Sequence, residues 1–133
     1  MSRTCDTSVL VPALLGWHPD HEASRSALRS VTALPAHVLV ECYSVLTRLP
    51  APHRVAPPDA GAVLGALRVK PVSLPAARQA SLVPELARLG IRGGAVYDAL
   101  VARTAAHHDL ELVTRDRRAR ATYDRLGVRY ELV

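Results

Sequence analysis

The sequence predicts an α/β fold, a three-layer α/β/α sandwich with a small, mainly parallel β-sheet. Short apolar segments typical of strands alternate with longer segments typical of helices along the 133 residues. Hydrophobic residues make up 49% of the chain but aromatic residues only 4%, so the core must be built from Ala, Val and Leu. That composition suits helices packed over a small sheet better than a β-sandwich. The length allows a single domain, residues 1–133.

Local sequence signals assign the elements in chain order. A helix follows the first strand at once, because Thr7 and Ser8 are good N-cap residues. Pro35 suits the first position of a helix, whereas the proline-rich segment 50–58 is predicted to be a loop. Strands are predicted at 3–6, 31–34, 71–74, 111–114 and 129–132. Helices are predicted from Thr7 or Ser8 onward, at 19–30, 35–49, 59–68, 76–89 with a kink or break at Pro84, from after Gly94 to about 108, and at 117–126 with Gly127 as C-cap.

The net charge of +5 comes almost entirely from arginine, since Lys70 is the only lysine. The guanidinium group presents a planar fork of donors that matches two phosphate oxygens at once. A basic, arginine-rich small domain therefore favours a nucleic-acid partner. A genome rich in G and C, which favours Ala, Arg, Pro and Val codons, explains the same composition without any partner.

The chain is expected to be cytoplasmic and not bound to a membrane. It contains no run of roughly 20 apolar residues, the length needed to span a bilayer. Asp6 places a carboxylate where a signal peptide requires its apolar region. Cys5 and Cys42 lack metal-ligand spacing and lie in apolar surroundings, so they are predicted to be reduced core residues.

Two acidic residues occupy the carboxyl ends of predicted strands. Asp6 follows the first strand and Asp116 follows the strand at 111–114, and a helix begins directly after each. Ligands bind at this edge of parallel α/β sheets, because the strand ends open into a crevice faced by helix N-termini. Each residue taken alone is better explained as a helix N-cap or a first-turn acid.

Two further acids interrupt apolar helix faces. Glu41 lies three residues after Val38 and four before Val45, so it points along the buried side of its helix. A buried carboxylate must be paired or bound to metal, and a salt bridge to an arginine of another helix is the alternative. Asp98 lies near the start of its helix among small apolar residues, where a favourable interaction with the helix dipole is the alternative.

Asp6, Glu41, Asp98 and Asp116 together predict a metal-dependent hydrolase. Four carboxylates in one crevice repel each other unless divalent cations neutralise them. Mg²⁺ and Mn²⁺ prefer oxygen ligands, taken from a few carboxylates, water and substrate phosphate. An all-carboxylate site with basic surroundings suits phosphodiester hydrolysis, in which metal activates water.

The sequence resembles the PIN-domain family, and in particular the VapC toxins of toxin–antitoxin pairs. The resemblance rests on four motifs that occur in the family's order. It extends over residues 5 to 133. The motifs are Cys5-Asp6-Thr7-Ser8-Val9-Leu10, Val40-Glu41-Cys42-Tyr43-Ser44-Val45-Leu46-Thr47-Arg48-Leu49-Pro50, Tyr97-Asp98-Ala99-Leu100-Val101-Ala102 and Leu112-Val113-Thr114-Arg115-Asp116-Arg117-Arg118.

The resemblance implies a Mg²⁺-dependent endoribonuclease, with Mn²⁺ as a possible substitute, whose acidic quartet is Asp6, Glu41, Asp98 and Asp116. Asp6 and Asp98 are implied to be the principal metal ligands, Asp116 a shared ligand, and Glu41 the residue that orients a metal-bound water. Thr114 is implied to be the small polar residue beside the quartet. A cognate VapB-like antitoxin that occludes the site and a homodimer are implied as partners.

The arginines around Asp116 are predicted to contact RNA. Arg115, Arg117 and Arg118, with Thr114 beside them, are the candidates, and a solvated helix face is the alternative for some of them. Arg118 stands where many relatives carry a further acid, which predicts weak binding of a second metal ion.

Two other functions fit the same motifs. One is a PIN nuclease of RNA maturation or decay without a toxin role. The other is a catalytically inactive RNA-binding module, which the four acids argue against because a phosphate-binding surface gains nothing from four anions. His18 and His21 resemble a zinc pair only superficially, because they have no cysteine partner and no helical frame.

Overall fold

A computed structural model describes residues 2–133 and contains only parallel strand pairs within them. The strands are β1 (Arg3–Cys5), β2 (Ala33–Pro35), β3 (Lys70–Val72), β4 (Glu111–Thr114) and β5 (Tyr130–Leu132). One sheet has the order β1-β4-β5, and β2 pairs with β3. A parallel bridge between Arg3 and Val31 and a hydrogen bond from the Thr32 N–H to the Arg3 carbonyl (3.2 Å) join the two sheets. The predicted parallel sheet is confirmed.

Seven α-helices and one short 3₁₀ helix connect these strands in the described residues. They are α1 (Thr7–Leu14), α2 (His21–Leu28), α3 (Ala36–Thr47), α4 (Pro57–Gly65), α5 (Ala76–Leu89), α6 (Ala95–His107) and α7 (Arg120–Leu126), with the 3₁₀ helix at Arg117–Ala119. The strand at 111–114 and the helix at 76–89 have the predicted bounds. Pro84 does not break α5, and its exposed position lets water satisfy the carbonyl that a proline leaves unpaired. Gly127 ends α7 with a φ of 66°, as its predicted C-cap role requires.

The sheet is short but completely buried at its centre. Leu112 and Val113 of β4 have no exposed surface, and α1, α3 and α6 all pack against strands. Cys5 and Cys42 are free thiols in this core, which confirms their predicted packing role. Burial, with a smaller contribution from Glu41, raises the pKa of Cys42 to about 12. Within residues 2–133, every helix is too short or too polar to cross a membrane.

The register between β1 and β4 places the site. Cys5 is paired with Val113, and the Asp6 N–H donates to the Val113 carbonyl (3.4 Å). Both strands end near this point, and β1 is followed by α1 while β4 is followed by the 3₁₀ helix. The side chains that follow the two strands therefore meet at one edge of the sheet.

Candidate active site

Asp6 is held at the centre of the site by hydrogen bonds to both of its carboxylate oxygens. Oδ1 accepts from the Ser8 N–H (3.1 Å) and from the Ser8 hydroxyl. Oδ2 accepts from the Thr114 hydroxyl (2.6 Å) and the Tyr123 hydroxyl (2.7 Å). Asp6 is almost completely buried, and these contacts fix its rotamer. The residue is both the N-cap of α1 and a member of the site, so the two roles considered for it are compatible.

Thr114 connects Asp6 to Asp116. Its hydroxyl donates to Asp6 and accepts the N–H of Asp116 (3.1 Å), and the side chain has no exposed surface. Thr114 therefore positions the two acids and is not accessible for the direct RNA contact predicted for it. Asp116 in turn caps the 3₁₀ helix by accepting the Arg118 N–H (2.9 Å).

Asp98 lies close enough to the other three acids to be affected by their charges. Burial raises its pKa to about 6, and Asp116, Asp6 and Glu41 add to the rise in that order. The nearby Arg118 acts in the opposite direction with a smaller effect. A helix N-terminus alone would lower the pKa of a first-turn acid, so desolvation and like charges outweigh the dipole of α6 here.

Glu41 lies at the edge of the buried face of α3. Its side chain is 39% exposed, and its Oε2 lies 3.2 Å from Nε2 of His37, one turn earlier on the same helix. Its partner is therefore not an arginine of another helix. The charge of Glu41 also contributes to the raised pKa of Asp98, so the two carboxylates are near enough to interact.

Sequence reasoning missed Tyr123. It is the largest completely buried side chain, and its hydroxyl donates to Asp6, 117 residues away. Burial, and then the charge of Asp6, raises the pKa of Tyr123, so the phenol stays a hydrogen-bond donor. Helical spacing predicts that Tyr123 is buried, but no local signal reveals which group its hydroxyl reaches.

The arginines beside the site differ in how free they are. Arg115 is tied to Asp20 of the segment before α2 (3.3 Å) and is only 22% exposed. Arg118 is 96% exposed and lies 3.8 Å from Asp116, and Arg117 is exposed as well. Arg125 donates to the Leu89 carbonyl. Arg117 and Arg118 are therefore the members of the run best placed to contact a ligand.

The donor set suits a hard divalent cation that keeps much of its water. Within residues 2–133, no three His, Cys, Asp or Glu side chains are grouped so that they could hold a metal ion together. Mg²⁺ does not require such a group, because it usually takes one or two carboxylates and several waters. Burial and, to a smaller extent, the neighbouring carboxylates raise the pKa of Asp98, and a bound cation would oppose both effects. His18 and His21 instead contact the Asp20 N–H and the Pro12 carbonyl, outside this cluster.

The chain is similar to one family over nearly its whole length. A model of the PIN domain matches residues 4–125. The protein named ribonuclease VapC40 of Mycobacterium tuberculosis is 48% identical over 129 residues, which cover 96% of each chain. Ribonuclease VapC27 of the same species is 48% identical over 125 residues, or 92% of this chain and 90% of its own.

Solved structures share the fold at lower sequence identity. VapBC2 from Rickettsia felis, bound to a DNA fragment from its promoter, superposes with a TM-score of 0.69 at 21% identity and covers 100% of this chain and 99% of that chain. FitAcB from Neisseria gonorrhoeae superposes with a TM-score of 0.61 at 20% identity and covers 96% and 94%. These likenesses support the fold alone.

Proposed function

We propose that this chain, which belongs to the PIN-domain family, is a metal-dependent endoribonuclease of the VapC toxin type. The observation that carries the proposal is the acidic crevice in which Asp98 is affected by the charges of Asp116, Asp6 and Glu41. Two relatives named ribonucleases, each 48% identical over more than nine-tenths of this chain, support RNA as the substrate.

Asp6, Asp98 and Asp116 are the proposed ligands of Mg²⁺ or Mn²⁺. When bound, such an ion supplies Lewis-acid activation of the attacking water and neutralises charge at the phosphate. Asp6 reaches this role already oriented by Thr114, Ser8 and Tyr123. Preorganised groups of this kind need no rearrangement during the reaction.

Glu41 is the proposed residue that orients the attacking water. Its side chain is 39% exposed, more than that of Asp116 at 34%. His37 Nε2 lies 3.2 Å from Oε2 without a hydrogen bond, so the carboxylate can accept a hydrogen bond from water. Arg117 and Arg118 hold the phosphates of the RNA strand on the exposed rim.

A VapB-like antitoxin is the proposed partner, and a homodimer the proposed assembly. The resemblance to VapC toxins implies the antitoxin, and the VapBC2 complex, which has the same fold and was solved on promoter DNA, is in keeping with such a partner. The cytoplasm is the proposed compartment, where an RNA-cleaving toxin meets its substrate. A short gene for a DNA-binding protein beside the gene for this chain would favour the toxin role over RNA maturation.

Removal of divalent metal is expected to stop RNA cleavage. The proposed ligands are all oxygen atoms, and without a cation the crevice repels the phosphate. Cleavage of total cellular RNA should cease in excess EDTA and return with added Mg²⁺ or Mn²⁺, as followed by mapping of the 5′ ends. Full activity in the presence of chelator would contradict the metal mechanism.

Replacement of Arg117 and Arg118 by Ala is expected to weaken RNA binding through the loss of phosphate contacts. Each lost contact should reduce the slope of log affinity against log salt by about 0.7 for a single strand. A salt titration of the affinity for single-stranded RNA measures this slope.

Arg29 and Arg68 provide the matched control for that pair. Both are exposed and precede β2 and β3 respectively, so they lie at the amino edge of the sheet, away from the acids. Their replacement by Ala removes the same charge and should leave the slope nearly unchanged. Equal effects of the two double variants would show that Arg117 and Arg118 act only through net charge.

A further inference from the structure

A pair of parallel aromatic rings, one exposed and one half-buried, adjoins the acidic crevice. The rings of Tyr97 and His37 are stacked, with centroids 5.3 Å apart and an angle of 4° between their planes. They come from different elements, α6 and α3 respectively. Aromatic residues are scarce in this chain, which has one Trp, four Tyr and no Phe. A tyrosine that lies at the surface instead of in the core therefore calls for an explanation.

Both members of the pair are joined to the proposed catalytic groups. His37 contacts Glu41 through its Nε2 atom (3.2 Å), and Tyr97 directly precedes Asp98 in α6. The charges of Glu41 and Asp98 affect each other across the crevice. The ring pair therefore borders the place where the scissile phosphate would lie.

Packing does not account for the position of Tyr97. Tyr97 is 55% exposed. His37 stacks parallel to its ring, and this exposure leaves much of the tyrosine side chain accessible to a ligand. The stack also fixes the orientation of the ring, so a flat ligand would bind without a large loss of side-chain entropy.

The electrostatics of the crevice favour an additional contact to an uncharged part of the RNA. Four carboxylates repel the phosphates of an RNA strand, and of the nearby arginines Arg115 is already paired with Asp20. The bases of single-stranded RNA are uncharged, and proteins bind them by stacking on Tyr, Phe, Trp and His. Stacking is tolerant of sequence because every base has a π-face.

We propose that Tyr97, backed by His37, is a stacking platform for a nucleobase next to the scissile phosphate. This inference rests on the proposed RNA substrate. Tyr97 is then a substrate-positioning residue that holds one nucleotide while the adjacent phosphate enters the acidic crevice.

A fluorescent RNA tests the platform without requiring cleavage. The probe is single-stranded oligouridine that carries one 2-aminopurine, a base whose fluorescence falls when it stacks, and it is titrated with protein in Ca²⁺, an oxygen-binding cation, in place of Mg²⁺. The parent should quench the probe, and Tyr97→Leu should lose the quenching and bind about tenfold more weakly. Tyr97→Phe keeps the ring and should behave as the parent does.

Tyr43→Leu is the matched control. Tyr43 is also an exposed tyrosine, but it lies two residues after Glu41 on α3 and so projects from the other side of that helix. This variant should quench and bind as the parent does. Equal losses in Tyr43→Leu and Tyr97→Leu, or no loss in Tyr97→Leu, would overturn the platform.

Cleavage assays with the same variants separate this inference from the proposed function. With an RNA that the parent cleaves, Tyr97→Leu should raise KM about tenfold and change kcat much less. If the parent cleaves RNA and Tyr97→Leu matches it in both assays, the nuclease stands and the platform falls. If the parent cleaves no RNA but quenching depends on Tyr97, the platform stands and the proposed nuclease falls.

Discussion

Asp98→Asn is expected to reduce RNA cleavage to background while leaving the folded protein at least as stable as the parent. The substitution keeps the shape of the side chain and removes one of the charges that repel each other in the crevice. Two such charges about 4 Å apart repel by roughly 4 kcal/mol at an effective dielectric near 20. After solvent screening and relaxation, we expect a gain of about 1 kcal/mol in the free energy of unfolding.

The gain in stability should depend on pH. The pKa of Asp98 is raised from 3.8 to about 6 in the folded protein, first by burial and then by Asp116, Asp6 and Glu41. The folded state therefore binds the proton more tightly than the unfolded state, and stability falls as the pH rises through that interval. The parent should lose stability between pH 3.8 and about 6, and Asp98→Asn should lose less.

Urea unfolding in EDTA at several pH values measures this difference, and cleavage of RNA in Mg²⁺ measures the activity. Asp59→Asn is the matched control, because Asp59 is also an acid in the first turn of a helix but is exposed. It should cost a few tenths of a kcal/mol through the helix dipole and leave cleavage intact. A loss of about 2 kcal/mol or more in Asp98→Asn would instead identify Asp98 as a structural ion-pair residue.

Mg²⁺ should stabilise the parent more than Asp98→Asn. A ligand that binds only the folded state raises its stability according to the ligand concentration relative to Kd. Loss of one ligand oxygen weakens that binding, so the shift in Tm on adding Mg²⁺ should shrink. Without metal the variant would then be more stable than the parent, and Mg²⁺ would stabilise it less. This is the trade-off between stability and activity that is common at functional sites.

Thr114→Val is expected to lower cleavage by about 10- to 100-fold, the range seen when groups that orient metal ligands are removed. Valine keeps the shape of threonine but lacks the hydroxyl that donates to Asp6 and accepts the N–H of Asp116. The buried carboxylate and the N–H both lose a partner, which should cost about 1–3 kcal/mol of folding stability. Kinetics with Mg²⁺ in excess and urea unfolding measure the two effects.

Thr104→Val separates catalysis from burial. Thr104 is also a buried threonine, but its hydroxyl donates to the Leu100 carbonyl within α6. Its replacement should cost less than about 1 kcal/mol and leave cleavage within a few-fold of the parent. If Thr114→Val cleaves as well as Thr104→Val, the Thr114 hydroxyl does not position the acids.

The placement of the acids at the ends of strands and the start of a helix could be predicted from the sequence, because it depends on local rules. Asp6 and Asp116 each follow a short apolar strand and precede a helix, and parallel strands bring such ends to one edge of a sheet. Asp98 lies in the first turn of α6, which begins directly after a pair of glycines. Strand alternation, capping and helix periodicity act over a few residues, so they are readable from the sequence alone.

The partners of these acids were decided by tertiary packing. The Tyr123 hydroxyl meets Asp6 across 117 residues, and Thr114 meets it across 108. Periodicity states which face of a helix is buried, but it does not state which distant group that face meets. Glu41 is a second example. Its nearest charged neighbour is His37 on the same helix, and both side chains are only partly buried.

The sequence by itself therefore determined the parallel α/β fold and the placement of Asp6 and Asp116 after two of its strands. Only the tertiary structure decided that Thr114 is buried behind Asp6, that Arg115 is bound to Asp20, and that Arg117 and Arg118 remain exposed. The physical reason is that fold class follows from repeated local preferences along the chain. The accessibility and pairing of a single side chain depend on the one register and packing that the whole chain adopts.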